Sequence, residues 1–218
     1  MELIQIQNLF NQISAIIKQY DKIAEITGEK FNIFRVLKLE TSEVRMHSAF
    51  LSELLNPRGS HGQKDVFLKL FIKYFELPDF KTTDAIVQVE KFISRIDSEF
   101  LEGGFIDILI TSKSKERIII ENKIYAQDQK NQLARYSQFD SKAHMFYLTL
   151  YGREPDVVGF KAISYQKDIV NWLEECRKES VGHALLRETI TQYINLIKYL
   201  TNQTIIVDMQ EEIEKIIL

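Results

Sequence analysis

Residues 105–136, FIDILITSKSKERIIIENKIYAQDQKNQLARY, contain two short apolar runs that are separated by a polar turn and followed by a polar, helix-like stretch. Asp107 interrupts the first run, and Glu121 and Lys123 close the second. Buried strands avoid carboxylates unless these are paired or bind a metal. This stretch therefore indicates a sheet that carries a polar site.

The two apolar runs predict a β-hairpin. Strands are expected at residues 105–111 and 117–123, with a turn at 112–115, because isoleucine and other apolar residues fill both runs. In an antiparallel hairpin the start of the first strand lies beside the end of the second. Asp107 is therefore expected beside Glu121.

Glu121, Asn122 and Lys123 end the second predicted strand. Because side chains alternate between the two faces of a strand, Glu121 and Lys123 should share one face and Asn122 should point to the other. Two carboxylates can hold a hard cation such as Mg²⁺ together with a substrate phosphate, and the backbone carbonyl of Asn122 could reach the same ion. A lysine on that face can orient the attacking water or offset phosphate charge. Glutamate and lysine two residues apart also form ordinary exposed pairs at sheet edges, so the pattern alone leaves both interpretations open.

The rest of the chain predicts helices around this hairpin, because apolar residues recur there at steps of three and four. Before the hairpin, the expected elements are helices at 2–26, 30–39, 43–55 and 64–76 and a strand at 86–93. After it, they are a helix at 128–140, strands at 145–150 and 162–165, and helices at 168–178 and 183–200. The tail at 204–218 mixes apolar residues with EEIEKIIL, which suggests that the natural chain continues or packs on a partner.

No linker divides these elements, so we expect one α/β domain over residues 1–218 with a mixed central sheet wrapped by helices. Residues 1–40 would form a helical N-terminal region, 41–165 the core, and 166–218 the C-terminal helices. The 45% hydrophobic and 27% charged composition is typical of a globular chain that can bury a sizeable core.

The net charge of −3 argues against a protein that coats DNA tightly and non-specifically through bulk positive charge. It does not exclude a locally basic cleft. From Lys113 to Lys142 there are seven lysines and arginines against four acids, a surplus that suits phosphate contacts as well as an ordinary solvated face.

The single cysteine, Cys176, cannot form an internal disulfide and lies in an acidic helical run, so a structural thiol in a reducing compartment is favoured over a catalytic one. The N-terminus lacks a basic region followed by an apolar core, and no run approaches the roughly 18 apolar residues that a membrane span requires. These features predict a cytoplasmic protein with no membrane partner.

Glu43 and His47 lie on the inward-facing side of the helix predicted at 43–55. Glu43 also suits the first turn of a helix, where acids are favoured. A lone histidine such as His47 is more often a buried, hydrogen-bonded side chain than a ligand, and His61 in the following loop is equally ambiguous.

Three segments together resemble the PD-(D/E)XK nuclease superfamily: I-D-I-L-I at 106–110, I-I-I-E-N-K-I at 118–124, and Q-x-x-Q-L-x-R-Y at 129–136. The upstream stretch E-V-R-M-H-S-A-F-L-S-E-L-L-N-P-R-G-S-H-G, at 43–62, is similar to a branch of bacterial members that carry a helical region before the nuclease core. The resemblance covers roughly residues 40–150. One departure is Ile106, which stands where many members have proline.

The resemblance implies a restriction-endonuclease-like core in the order α-β-β-β-α-β and a nuclease that uses Mg²⁺ or Mn²⁺. Asp107, Glu121 and Glu43 would be metal ligands, Lys123 would position or activate the attacking water, and Gln132 would help to order the site. Tyr136 would pack beside it. The implied substrate is nucleic acid, with DNA favoured, in restriction, repair or phage defence.

Two other functions remain open on the sequence. The acidic charge and the long C-terminal helix suit a catalytically inactive nuclease-like module that binds nucleic acid or a protein. The C-terminal helices would then be the surface for a homodimer or another protein partner. A metal-dependent hydrolase of a smaller phosphorylated substrate is the third candidate.

Overall fold

The computed structural model describes residues 2–28, 30–99, 102–203 and residue 213. The tail predicted at 204–218 therefore lies, apart from Ile213, outside the described residues. Within the described part of the chain, no helix is both long and apolar enough to cross a membrane.

The described elements follow the predicted order of helices and strands. The helices are α1 (Glu2–Thr27), α2 (Ile33–Val36), α3 (Ala49–Leu55), α4 (Val66–Tyr74), α5 (Gln132–Phe139), α6 (Val170–Glu179) and α7 (Ala184–Leu200). π-helical turns at Glu43–Ser48 and Tyr165–Ile169 lead into α3 and α6. The strands are β1 (Ile86–Ser94), β2 (Gly104–Thr111), β3 (Arg117–Lys123), β4 (His144–Thr149) and β5 (Phe160–Ser164).

The five strands form one mixed sheet in the order β1-β2-β3-β4-β5. Neighbours are antiparallel from β1 to β3 and parallel from β3 to β5. The predicted hairpin is confirmed, since Ile108 pairs with Ile120 and Thr111 with Arg117. The predicted α/β class with a mixed central sheet is therefore confirmed.

The sheet is covered on both faces, and this explains why β2 to β4 are almost continuously apolar. The larger core cluster joins one face of the sheet to α3, α4, α6 and α7. The smaller cluster lies on the other face and contains Leu133 and Tyr136 of α5. The end of β3 is thus enclosed between two layers.

The clearest departures from the predicted boundaries are in three helices. The helix expected at 30–39 is reduced to α2, and the helix expected at 128–140 begins only at Gln132 because Asn131 adopts a left-handed conformation with φ 55°. The helix expected at 43–55 begins as a π-helical turn in which the N–H of His47 bonds to the carbonyl of Ser42. Three consecutive residues of this wider turn, from Met46 to Ser48, are buried. On one face of a regular α-helix, buried residues are instead spaced three and four apart.

Candidate active site

The carboxyl groups of Asp107 and Glu121 meet where β2 begins and β3 ends. Oδ2 of Asp107 accepts a hydrogen bond of 2.8 Å from the backbone N–H of Asn122. The exposed fraction is 9% for Asp107 and 0% for Glu121. The sequence prediction that places these two acids side by side is confirmed.

The regular alternation of β2 breaks at Asp107. Ile106 and Leu109 both pack in the cluster on the α5 face, whereas Ile108 packs in the other cluster. In β1, the facing Glu90 has a left-handed backbone with φ 50°, between the paired residues Val89 and Lys91. This irregularity places a third carboxyl group, that of Glu90, near the site. Strand periodicity does not predict this position, because periodicity assumes an undistorted ladder.

Glu121 is a buried carboxylate with very little compensation. No described residue directs a well-formed hydrogen bond to either of its oxygens, although Nζ of Lys123 lies 2.6 Å from Oε1. This contact is an ion pair within a nearly closed environment, since the Lys123 side chain is 10% exposed. Buried polar groups are normally hydrogen-bonded, so an exception of this kind requires an explanation. The shared face predicted for Glu121 and Lys123 is confirmed by the contact.

Burial and the neighbouring charges change the pKa values of Asp107, Glu121 and Lys123. Burial raises the pKa of Asp107 well above its usual range, and the charge of Glu121 raises it further. Burial also raises the pKa of Glu121, although the Lys123 charge offsets part of the effect. Burial alone would lower the pKa of Lys123, but the neighbouring carboxylates outweigh burial and raise it. The ammonium group is therefore stabilised, and the two carboxyl groups compete for one lysine.

These groups fit a hard divalent cation. Asp107 and Glu121 supply carboxylate oxygens, and both oxygens of Glu121 lack a well-formed hydrogen bond from a described residue, so the Lys123 ammonium on Oε1 leaves room for a further cation. Among the described residues, no three His, Cys, Asp or Glu side chains converge as a metal-binding group. Mg²⁺ is nevertheless commonly bound through one or two carboxylates, with water and phosphate completing its shell. The donor set thus suits Mg²⁺ better than zinc, which prefers nitrogen and sulfur.

Glu43 lies beside the site without joining the two acids in such a group. Its Oε1 accepts hydrogen bonds of 2.7, 2.9 and 2.8 Å from the backbone N–H groups of Ile124, Tyr125 and Ala126. Glu43 is the first residue of the π-helical turn, and its carboxylate caps the loop that follows β3. This contact is not the local interaction with its own helix that the first-turn position suggested.

Gln132 approaches the site from α5 through Tyr136. Nε2 of Gln132 donates to the Tyr136 hydroxyl at 3.0 Å, and that hydroxyl donates to the backbone carbonyl of Phe105. Burial raises the pKa of Tyr136, and the charge of Glu121 adds to the effect. The structure therefore brings Gln132 and Tyr136 to the face that carries Glu121.

The side chain of Asn122 points to the opposite face of β3, as alternation predicted. Its Nδ2 donates to Oγ of Ser48 at 3.0 Å, and its Oδ1 accepts from the Tyr165 hydroxyl at 2.8 Å. All three residues are buried. This side of the strand end is therefore held by a complete set of hydrogen bonds.

His47 extends the same buried network. Its Nδ1 shares a hydrogen bond of 2.9 Å with the Tyr193 hydroxyl, and its Nε2 shares one of 2.9 Å with the backbone carbonyl of Glu40. Burial lowers the pKa of His47 to about 4, so the ring is neutral near pH 7. The interpretation of His47 as a buried, hydrogen-bonded histidine is confirmed.

His61 belongs to a turn and not to the site. Its Nε2 contacts the backbone carbonyl of Asn56 at 2.9 Å, and its Nδ1 accepts from the N–H of Gln63 at 3.0 Å. Both ring nitrogens are therefore used within the loop that follows α3. The N-P-R-G-S-H-G stretch has a structural role here.

Arg135, the arginine of the Q-x-x-Q-L-x-R-Y segment, is a buried residue to which the sequence patterns assigned no role. It is 1% exposed, and its guanidinium donates to the backbone carbonyls of Gly103 and Lys130 and to the side chain of Gln129. Although it was counted in the basic surplus of residues 113–142, its contacts join the loop after β3 to the start of β2. It is thus committed to protein contacts instead of phosphate.

An exposed arginine lies at the same edge of the sheet. Tyr147 of β4 pairs with Glu121 of β3, and its hydroxyl contacts both Asp128 and Arg153. Nη2 of Arg153 also lies 2.6 Å from the Asp128 carboxylate, and its side chain is 59% exposed. No local sequence pattern marks Arg153, because its approach to the strand end depends on the parallel pairing of β3 and β4.

A sequence model of the PD-(D/E)XK nuclease superfamily matches residues 31–195, well over half of the chain. The matched region contains all five residues predicted for the site, which are Glu43, Asp107, Glu121, Lys123 and Gln132. Searches among curated proteins and among solved structures found no significant match.

Proposed function

This chain belongs to the PD-(D/E)XK nuclease superfamily, and we propose that it is a Mg²⁺-dependent nuclease that hydrolyses phosphodiester bonds of DNA. The observation that carries the proposal is the buried Glu121 carboxylate, which lies beside Asp107 and 2.6 Å from Nζ of Lys123. A site that keeps two acids and a lysine together at a buried strand end is expensive to fold. A reaction that needs a bound cation and a positively charged hydrogen-bond donor explains why these three groups are kept together.

In the proposed reaction, Asp107 and Glu121 would hold the divalent cation, together with the backbone carbonyl of Asn122. When bound, Mg²⁺ would polarise the phosphate and lower the pKa of the attacking water. Asn122 is well placed to keep a fixed orientation, because its N–H binds Asp107 and its side chain is anchored in the opposite core. The resemblance also implied Glu43 as a ligand, but its Oε1 is already occupied by three N–H donors.

Lys123 is assigned to orient the attacking water and to offset charge on the phosphate. Because Glu121 and the other nearby carboxylates raise its pKa, the ammonium form persists at neutral pH. A protonated lysine is a hydrogen-bond donor and cannot accept a proton from water. Electrostatic stabilisation of the phosphate is therefore favoured over general-base catalysis.

Gln132 is proposed to order the site through Tyr136, since its amide donates to the tyrosine hydroxyl beside Glu121.

A nucleic-acid substrate is suggested by the family, and Arg153 adds an exposed guanidinium at the edge where β3 and β4 end. DNA as the substrate and a role in restriction, repair or phage defence are parts of the proposal. A cytoplasmic location is also part of the proposal, on the sequence argument that the single cysteine, Cys176, has no disulfide partner within the chain.

The decisive assay incubates the purified protein with single- and double-stranded DNA, RNA and mononucleotides, each with Mg²⁺, Mn²⁺ or EDTA. We expect metal-dependent cleavage of DNA that falls roughly 100- to 1,000-fold in Lys123→Ala, the range for removal of one group that stabilises developing charge. Lys142→Ala, which removes an exposed lysine outside the site, is the matched control and should cleave normally. Equal cleavage by wild type and Lys123→Ala would refute the assigned site, and cleavage of mononucleotides alone would indicate a small phosphorylated substrate.

Calorimetry separates the nuclease from an inactive binding module. A Mg²⁺ site that disappears in Glu121→Gln supports the nuclease. DNA binding without any Mg²⁺ site that depends on Glu121 would instead show a nuclease-like module that retains the fold and has lost the chemistry.

A further inference from the structure

The carboxylate of Glu43 closes the loop that follows β3. Three successive N–H groups, those of Ile124, Tyr125 and Ala126, converge on Oε1 within 2.9 Å, although Glu43 precedes them by 81 to 83 residues. Successive backbone N–H groups that point to one centre form a binding site for an anion. Hydrogen bonds to a charged acceptor are also stronger than neutral ones. The loop is therefore held by a single oxygen atom of a distant side chain.

These three donors occupy the first positions after the strand that carries Lys123. The pairing of β3 with β4 ends at Lys123 and Thr149, so the ladder supplies no acceptor for the amides that follow. Backbone N–H groups without a partner are costly in a folded protein. Glu43 provides that partner, and in doing so it anchors the end of β3.

The same contact engages one of the two carboxylate oxygens of Glu43, so that only Oε2 is left for the ligand role that the resemblance implied. A carboxylate oxygen has two lone pairs, and here three N–H groups already share those of Oε1. Asp107 and Glu121 differ in this respect, because Oδ2 of Asp107 accepts one backbone hydrogen bond, from Asn122, and no described residue forms a well-aligned hydrogen bond with Glu121. The two acids of the strands are thus available to a cation in a way that Oε1 of Glu43 is not.

We propose that Glu43 is a positioning residue, which fixes the loop at residues 124–126 and thereby holds Lys123 against Glu121, and that it is not a ligand of the metal ion. The inference deepens the proposed function, since Lys123 is the group that is positioned. On this proposal, Glu43 acts through its hydrogen bonds to the backbone and not through its charge beside the metal ion.

Two substitutions separate these roles. Glu43→Gln keeps an oxygen that can accept the three N–H bonds but replaces a carboxylate by a weak neutral metal donor. Glu43→Ala removes the acceptor altogether. Glu53→Ala is the matched control, because Glu53 also accepts a backbone N–H from a loop, that of Ser60, away from the site.

The first measurement is hydrogen–deuterium exchange of the amides at 124–126 in metal-free protein. We expect exchange to be at least about tenfold faster in Glu43→Ala and to change less than about threefold in Glu43→Gln, since exchange follows local opening. Glu53→Ala should leave these amides unchanged. Unchanged exchange in Glu43→Ala would overturn the proposal.

The second measurement is Mg²⁺ affinity by calorimetry, combined with kcat and KM for DNA. For Glu43→Gln we expect Mg²⁺ affinity within about threefold of wild type, whereas loss of a metal-ligating group or its support typically costs about 10- to 100-fold. Glu43→Ala should lower kcat more than KM for DNA rises, because Lys123 is displaced while the DNA surface is intact. A tenfold or greater loss of Mg²⁺ affinity in Glu43→Gln would show that Glu43 is a ligand and would overturn the proposal.

The two proposals fail in different ways. If the wild type neither binds Mg²⁺ nor cleaves DNA, the nuclease assignment fails, and the exchange comparison still decides whether Glu43 holds the loop. If Glu43→Ala does not fold, Glu43→Gln decides the question, because retained protection of the amides and retained Mg²⁺ affinity support positioning, and loss of either one contradicts it.

Discussion

The two faces of β3 at its C-terminal end are both buried and both polar, yet they are compensated very differently. On the α5 face, Glu121 has an ion pair with Lys123 but no well-formed hydrogen bond from a described residue. On the opposite face, the side chain of Asn122 has partners for both its donor and its acceptor, in Ser48 and Tyr165. The two residues are adjacent in the chain and equally enclosed.

This difference separates a site from a scaffold. A satisfied buried network stabilises one arrangement of the chain, whereas two buried carboxylates that share one lysine lower stability until a further cation compensates them. We therefore expect replacement of Asp107 on the α5 face, called here the open face, to impair activity without loss of stability. Substitutions on the Asn122 face, called here the closed face, should do the reverse.

The strongest test of the comparison is Asp107→Asn on the open face. The amide oxygen can still accept the N–H of Asn122, while the repulsion with Glu121 disappears. We expect cleavage to fall roughly 1,000-fold, because a proposed metal ligand is lost, and metal-free protein to gain about 1–2 kcal/mol in free energy of unfolding. Urea denaturation in EDTA measures the gain. A clear loss of stability in this variant would mean that the open face is not strained.

The closed face should be sensitive to acid through His47. The pKa of about 4 for His47 in the folded protein lies below the value of about 6.5 for a solvent-exposed histidine, so the unfolded chain takes up the proton first as the pH falls. The contribution of neutral His47 to the free energy of unfolding is therefore fully present above about pH 6.5. It is lost as the pH drops towards 4, by up to about 3 kcal/mol. The measurement is the free energy of unfolding against pH for wild type and His47→Gln.

His47→Gln should be less stable than wild type at pH 7 but should show a smaller decline towards pH 4. The exposed His144 gives the control, and His144→Gln should retain the wild-type decline. If His47→Gln and wild type decline in parallel, the ring is not held neutral by burial.

A smaller effect is expected for Tyr165→Phe. Removal of the hydroxyl leaves Oδ1 of Asn122 without this donor, at a cost of about 1–2 kcal/mol in free energy of unfolding. Cleavage should stay within about threefold of wild type, since the proposed chemistry lies on the open face. Tyr151→Phe, at an exposed tyrosine, should change stability by less than about 0.5 kcal/mol. A large loss of cleavage in Tyr165→Phe at full stability would remove the distinction between the faces.

The smallest expected effect is at the edge of the open face, in Arg153→Gln. If its guanidinium contacts substrate phosphate, DNA affinity should fall about three- to tenfold for all sequences, and the salt dependence of binding should decrease by about one charge. The measurement is DNA affinity at several salt concentrations in Ca²⁺ or EDTA. An unchanged salt dependence would restrict the role of Arg153 to its contacts with Asp128 and Tyr147.

Local patterns were sufficient to predict the hairpin, the mixed sheet and the contact between Asp107, Glu121 and Lys123. Strand periodicity and the register of a short hairpin depend on residues that are close in the chain, so they can be inferred from it. The break in alternation at Asp107 and the left-handed Glu90 could not be inferred, because they arise where two strands adjust to each other. The division of the chain into 1–40, 41–165 and 166–218 stays a prediction.

The sequence by itself determined which groups carry charge at the end of β3 and on which face each one lies. Tertiary structure decided how those charges are compensated, through residues that are far apart in the chain. Glu43 reaches the loop after β3 across more than 80 residues, and His47 reaches Tyr193 across 146. Such contacts depend on the packing of whole helices against the sheet, which no local pattern encodes. The chemistry of the site is therefore visible in the sequence, whereas its support is visible only in the fold.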